Sequence, residues 1–97
     1  MTTFKRNLDD LSHNDIKFLL ALDHGPLIRV AICLKSGLAW STAFDTGMRL
    51  IVKELVVKWK VDNAYGRRGR KNIYWELTKY GSLLVNRIRA IEALEKI

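Results

Sequence analysis

The chain has 97 residues, 48% apolar and 28% charged, which excludes disorder over most of its length and leaves material for one modest core rather than two. Its net charge of +7 is uneven: nine Lys/Arg stand against seven Asp/Glu up to Asp62, and eight against three from Asn63 onward, a bias that suits a polyanion such as nucleic acid. One cysteine (Cys33) and two histidines (His13, His24) exclude an internal disulfide and offer no zinc-like spacing; no apolar run suits a membrane span or secretory leader, so a cytoplasmic, metal-free protein is expected.

Residues 1–10 read as an N-terminal arm that mixes Phe4 and Leu8 with charges. A first helix is predicted from about Ser12 to Asp23. Ser12 and Asp15 form a carboxylate version of the capping box, Ile16, Leu19, Leu20 and Leu22 recur at helical spacing, and Gly25-Pro26 stops the pattern. His13 and His24 read as solvated residues. Pro26 suits the first turn of a second, short helix with an apolar stripe of Leu27, Val30, Ala31 and Leu34, which ends at Ser36-Gly37. Within it Cys33 reads as a small buried thiol.

A longer helix is predicted over Leu38 to Leu50. Ala43, Gly47, Leu50 and Ile51 share one face, so Ser41, Thr42, Asp45, Met48 and Arg49 fall mostly on the other. A short helix, a glycine turn and a longer helix with polar residues at its start make a helix-turn-helix, whose second helix enters the major groove. Ser41 and Thr42 have hydroxyls for phosphates or base edges, Arg49 suits phosphate or guanine, and Asp45 can accept from a cytosine amino group. Trp40 either lies against the sugar-phosphate backbone or covers the core. Gly47 costs about 1 kcal/mol relative to Ala within a helix, which implies close approach by another helix.

From Leu55 the period changes from 3.6 to 2. Val57, Trp59 and Val61 alternate with Lys58, Lys60 and Asp62, and Ile73, Trp75 and Leu77 alternate with Tyr74 and Glu76, giving two half-buried strands of an antiparallel hairpin. The connection between them carries Arg67, Arg68, Arg70 and Lys71 with no acid, a pattern suited to DNA backbone or a narrow minor groove. Thr78 caps a last helix of about Lys79 to Lys96. Leu84, Ile88, Ile91 and Leu94 run close to a heptad seam there, so residues 79–97 are expected to dimerise the chain. Two histidines and scattered acids assemble no nucleophile, base or carboxylate pair, and no enzyme is expected. The elements give an α+β, mainly helical fold in one domain over residues 1–97: a winged helix-turn-helix with a two-stranded hairpin wing and a long C-terminal helix.

Three blocks carry a family resemblance. Gly37-Leu38-Ala39-Trp40-Ser41-Thr42-Ala43 is similar to a turn and recognition-helix start, Leu50-Ile51-Val52-Lys53-Glu54-Leu55-Val56 to a helix exit into strand two, and Tyr74-Trp75-Glu76-Leu77-Thr78-Lys79-Tyr80-Gly81 to a strand-three "L-T-x-x-G" ending. Ile16 to Gly81 thereby resembles the winged helix-turn-helix domains of small prokaryotic, especially archaeal and archaeal-virus, transcription regulators of the MarR, ArsR and PadR-like kind. The resemblance implies a homodimeric regulator that binds double-stranded DNA sequence-specifically. Ser41, Thr42, Asp45 and Arg49 would face the major groove, with the wing arginines on the adjacent minor groove or backbone. Glu54 departs from the family's usual glycine at the helix exit. No Cys/His metal sensor, cofactor or effector pocket is evident. The rival reading is a winged-helix protein-protein interaction module, which would not need a cationic wing.

Overall fold

A computed structural model of the chain describes residues 11–62 and 71–95. Helix α1 (His13–Ala21) starts on the expected capping box: Asp15 N–H donates to Ser12 Oγ at 3.2 Å, and Ser12 N–H donates to Asp15 Oδ2 at 3.0 Å. Phe18, Leu19 and Leu22 point into the core.

Pro26 does not open a helix. Leu27 and Ile28 form a short strand, β1 (Leu27–Ile28), opposite Trp75 and Tyr74, and helix α2 (Arg29–Ser36) begins only after it. Two residues are too few to display a period of two, and a proline without an N–H suits a strand edge as well as a helix start. Ile32 becomes the fully buried residue of α2, whereas Val30 and Leu34 of the expected stripe face solvent. Cys33 is half-buried at the margin of the core. Gly37 ends α2 in the left-handed region (φ 78°), its N–H on the Cys33 carbonyl at 2.9 Å.

Helix α3 (Trp40–Val52) buries Ala43, Gly47 and Leu50 as the spacing predicts, and Thr46 with them. Its exit is a Schellman motif. Glu54 N–H donates to the Ile51 carbonyl at 2.9 Å and Leu55 N–H to the Leu50 carbonyl at 3.0 Å, while Glu54 takes the left-handed φ of 64°. The glutamate thus adopts the backbone that a glycine would supply at no steric cost.

Strands β2 (Val56–Asp62) and β3 (Lys71–Leu77) pair antiparallel, and β1 joins the far edge of β3, so the sheet has three strands in the order β1-β3-β2 rather than two. Register decides which residues face inward. Lys58 lies opposite Trp75 and Trp59 opposite Tyr74, and residues directly opposite share a face. Trp75 is buried, so Val56 and Lys58 turn inward with it, while Val57, Trp59 and Val61 lie on the outer side. There Trp59 stacks on Tyr74 at 4.9 Å and donates its indole N–H to Glu76 at 3.0 Å.

Trp75 is the centre of the core. Phe18 and Phe44 meet it edge-on at 5.7 and 6.1 Å, an arrangement that ring quadrupoles favour. It also explains Gly47: a Cβ there would lie 2.5 Å from the Trp75 ring and 2.9 Å from Phe18, so the close neighbour is chiefly a strand tryptophan rather than a helix. Helix α4 (Lys79–Glu95) closes the core with Leu84, Val85 and Ile88.

Thr78 joins two elements at one point. Its hydroxyl accepts from Gly81 N–H at 3.1 Å, capping α4, and donates to the Glu54 carbonyl at 2.7 Å, while its own N–H reaches the Leu55 carbonyl at 3.0 Å. The exit of α3 and the start of α4 are thereby held together. A Cβ on Gly81 would overlap the Leu55 carbonyl oxygen, so that close approach requires glycine.

Candidate nucleic-acid interface

Burial of Ala43, Thr46, Gly47 and Leu50 turns the opposite side of α3 outward. Trp40, Ser41, Asp45, Met48 and Arg49 are exposed and Thr42 is half-buried, which brings all five site residues predicted on this helix to one surface or its edge. Trp40 is 56% exposed and covers no core.

The start of α3 is held by a residue that sequence reasoning missed. Arg29, the first residue of α2, donates from Nε and Nη2 to the Trp40 carbonyl at 3.1 and 2.7 Å, and its guanidinium stacks 3.9 Å from the Trp40 ring centroid. A second cation, Lys58, reaches inward from β2 to within 5.4 Å of both Phe44 and Trp75. Neither gives a local signal. Arg29 lies eleven residues from the carbonyl it grips, and Lys58 faces inward only because of the hairpin register.

Arg49 is not a free cation. Its Nη2 donates to Asp15 Oδ1 at 2.9 Å, and Lys53 Nζ lies 3.9 Å from the other oxygen of the same carboxylate. Asp15 is nearly inaccessible, whereas the Arg49 side chain keeps 51% of its surface in solvent. The carboxylate therefore anchors one end of the guanidinium and leaves other N–H donors on the outer face.

Arg67, Arg68 and Arg70 lie outside the described residues, and Lys71 is described only as the first residue of β3. The expected dimer seam is divided. Leu84 and Ile88 are buried by the chain itself, while Ile91 and Leu94 are 40% and 69% exposed, with Leu83 exposed beside them. Among the described residues no group of three or more His, Cys, Asp or Glu is placed to hold a metal ion, and no helix is long and apolar enough to cross a membrane.

A two-helix turn unit, α2 and α3, packed on a small antiparallel sheet whose β2 and β3 form a hairpin, is the winged-helix fold. No protein-family model matches the sequence, and no curated protein matches it significantly. Solved structures share the fold. A PadR family transcription regulator from Clostridium difficile superposes with a TM-score of 0.74 at 17% identity over 88% of this chain and 92% of its own. Bordetella bronchiseptica BpsR, whose DNA binding is regulated by 6-hydroxynicotinic acid, gives 0.71 at 20% identity, over 90% of this chain and 63% of its own. S. aureus MepR bound to ethidium bromide gives 0.67 at 23% identity, over 92% of this chain and 62% of its own. The chain thus spans under two thirds of BpsR and of MepR. At these identities the likeness is one of fold.

Proposed function

We propose that the chain is a sequence-specific, double-stranded DNA-binding transcription regulator without catalytic activity. The observation that carries this reading is the outer face of α3, where Trp40, Ser41, Asp45 and Arg49 stand exposed on a winged-helix scaffold of net charge +7. In this reading α3 enters the major groove, and Ser41, Thr42, Asp45 and Arg49 meet base edges and phosphates. Arg67, Arg68, Arg70 and Lys71 supply the long-range attraction from the wing. Ile91 and Leu94 of α4 face a second copy, so that two reading helices address two half-sites. The DNA-binding regulators that share the fold support the class of function.

Replacing Arg67, Arg68 and Arg70 together with Ala tests the wing. Duplex affinity should fall by a similar factor for every sequence, and the slope of log affinity against log salt should flatten by roughly 0.9 for each phosphate that the wing no longer neutralises. An unchanged slope would remove the wing from the interface.

A protein-interaction module is the second reading, and one observation favours it: Val57, Trp59 and Val61 form an exposed apolar strip on the outer side of the sheet. Absence of duplex binding by the unmodified protein at low salt would select that reading.

A further inference from the structure

Strand β2 is an open edge of the sheet. Its seven residues pair with β3 on one side, Val56 to Asp62 against Leu77 to Lys71 without a bulge, and β1 lies beyond β3. Alternate residues of such a strand turn their N–H and C=O groups away from the sheet. Among the described residues no backbone hydrogen bond reaches that outer edge. The strand contains no proline, and Val57, Lys58, Trp59, Lys60 and Val61 are all exposed, so neither of its faces is closed off among the described residues.

The two faces differ in chemistry. Val57, Trp59 and Val61 follow one another on the outer side, where Trp59 is fixed by its stack on Tyr74 and its bond to Glu76. Lys58 and Lys60 follow one another on the inner side, and among the described residues neither pairs with a carboxylate. Lys58 Nζ approaches the Met48 sulfur at 3.5 Å and the Phe44 and Trp75 rings at 5.4 Å, partners that hold a cation without cancelling its charge. Lysines guard an open edge against copies of itself. In the register of full overlap a second copy would set Lys58 opposite Lys60 twice, and directly opposed like charges are unfavourable. The same two charges favour a strand that carries acids at the facing positions. Apolar residues at the alternate positions of that strand would extend the row of Val57, Trp59 and Val61.

We propose that β2 takes up an extended acidic segment of another protein as a fourth strand, its Glu or Asp side chains beside Lys58 and Lys60 and its apolar side chains beside Val57, Trp59 and Val61. Main-chain hydrogen bonds along about 23 Å of edge, at roughly 3.3 Å per residue, give the hold, and the alternation gives the selection. None of the residues that meet this partner lies on α3, so the inference does not rest on DNA binding.

The test adds a labelled peptide of alternating Glu and Val, as long as β2, to the whole chain without DNA. Binding is read by fluorescence anisotropy and its place by amide hydrogen exchange. Saturable binding is expected, with slowed exchange at alternate amides of β2 and unchanged exchange along α4. A peptide of the same composition with its Glu and Val in separate blocks, and one with Lys in place of Glu, should bind about fivefold or more weakly. Lys58→Gln with Lys60→Gln should weaken the alternating peptide by a similar factor of about five, the worth of two exposed ion pairs. The peptide series is run on the unmodified chain, so its outcome stands if the lysine variant fails to fold. No saturable binding, equal binding of the block peptide, slowed exchange away from β2, or full affinity in a folded lysine variant would overturn the proposal. Protection of β2 that grows with protein concentration in the absence of peptide would give the edge to a second copy and overturn it as well.

Discussion

Thr46 is fully buried, and among the described residues its hydroxyl has no hydrogen-bond partner. A buried hydroxyl with no partner loses its hydration and gains nothing in return. Thr46→Val keeps the shape and removes the polar atom, so stability should rise by about 1 kcal/mol, roughly 4–8 °C in the melting temperature of a domain this size. A lower melting temperature in a calorimetric scan would show that the hydroxyl is satisfied in solution. Asp15 shows how far single residues were legible. Its role in the capping box is local, three residues from Ser12, and follows from sequence spacing. Its pairing with Arg49 joins residues thirty-four positions apart and is created only when α1 packs on α3. The sequence therefore puts Arg49 on the outward face of α3 but is silent about the carboxylate that anchors it.

At the scale of elements, the exit of α3 and the start of α4 act as one unit through Thr78. Thr78→Val preserves the branched shape but removes both the cap on Gly81 and the bond to the Glu54 carbonyl, and should cost about 1–2 kcal/mol by denaturant titration with an unchanged slope. Unaltered stability would mean that packing alone holds the two helices. The start and apolar face of α2, which has no side-chain cap, were not legible, but helix ends marked by a local cap were: Ser12, Gly37 and Thr78 all sit at the predicted boundaries. Strand faces were not. Val57, Trp59 and Val61 alternate as a buried strand should, yet the register with β3 puts Lys58 on the inner side opposite Trp75. Alternation reveals that one side differs from the other, and only pairing reveals which side meets the core. β1 escaped for a related reason, since its two residues are defined by their partners on β3 rather than by any pattern of their own.

For the whole molecule, charge and symmetry divide the work. The face of α3 carries one acid, Asp45, against an Arg49 already paired to Asp15, so in the proposed function its own attraction for DNA would be small and the basic second half of the chain would supply most of it. Symmetry in the proposed function comes from α4. Leu84 and Ile88 are part of the core, and charges there would unfold the chain, so the dimer is tested at Ile91 and Leu94 instead. Ile91→Glu with Leu94→Glu should give a folded monomer by light scattering, with weaker duplex binding because two half-sites are no longer linked. A monomeric unmodified protein would end the dimer proposal. The most direct test of the central claim is selection of bound duplexes from a random DNA pool, followed by sequencing. A reading helix on a two-fold dimer predicts enrichment of one palindromic motif whose half-sites are about one helical turn, roughly 10 bp, apart, and loss of that motif in Ser41→Ala with Arg49→Ala. A bound pool with no enriched motif, or a motif unchanged in that variant, would contradict the claim that α3 reads the sequence.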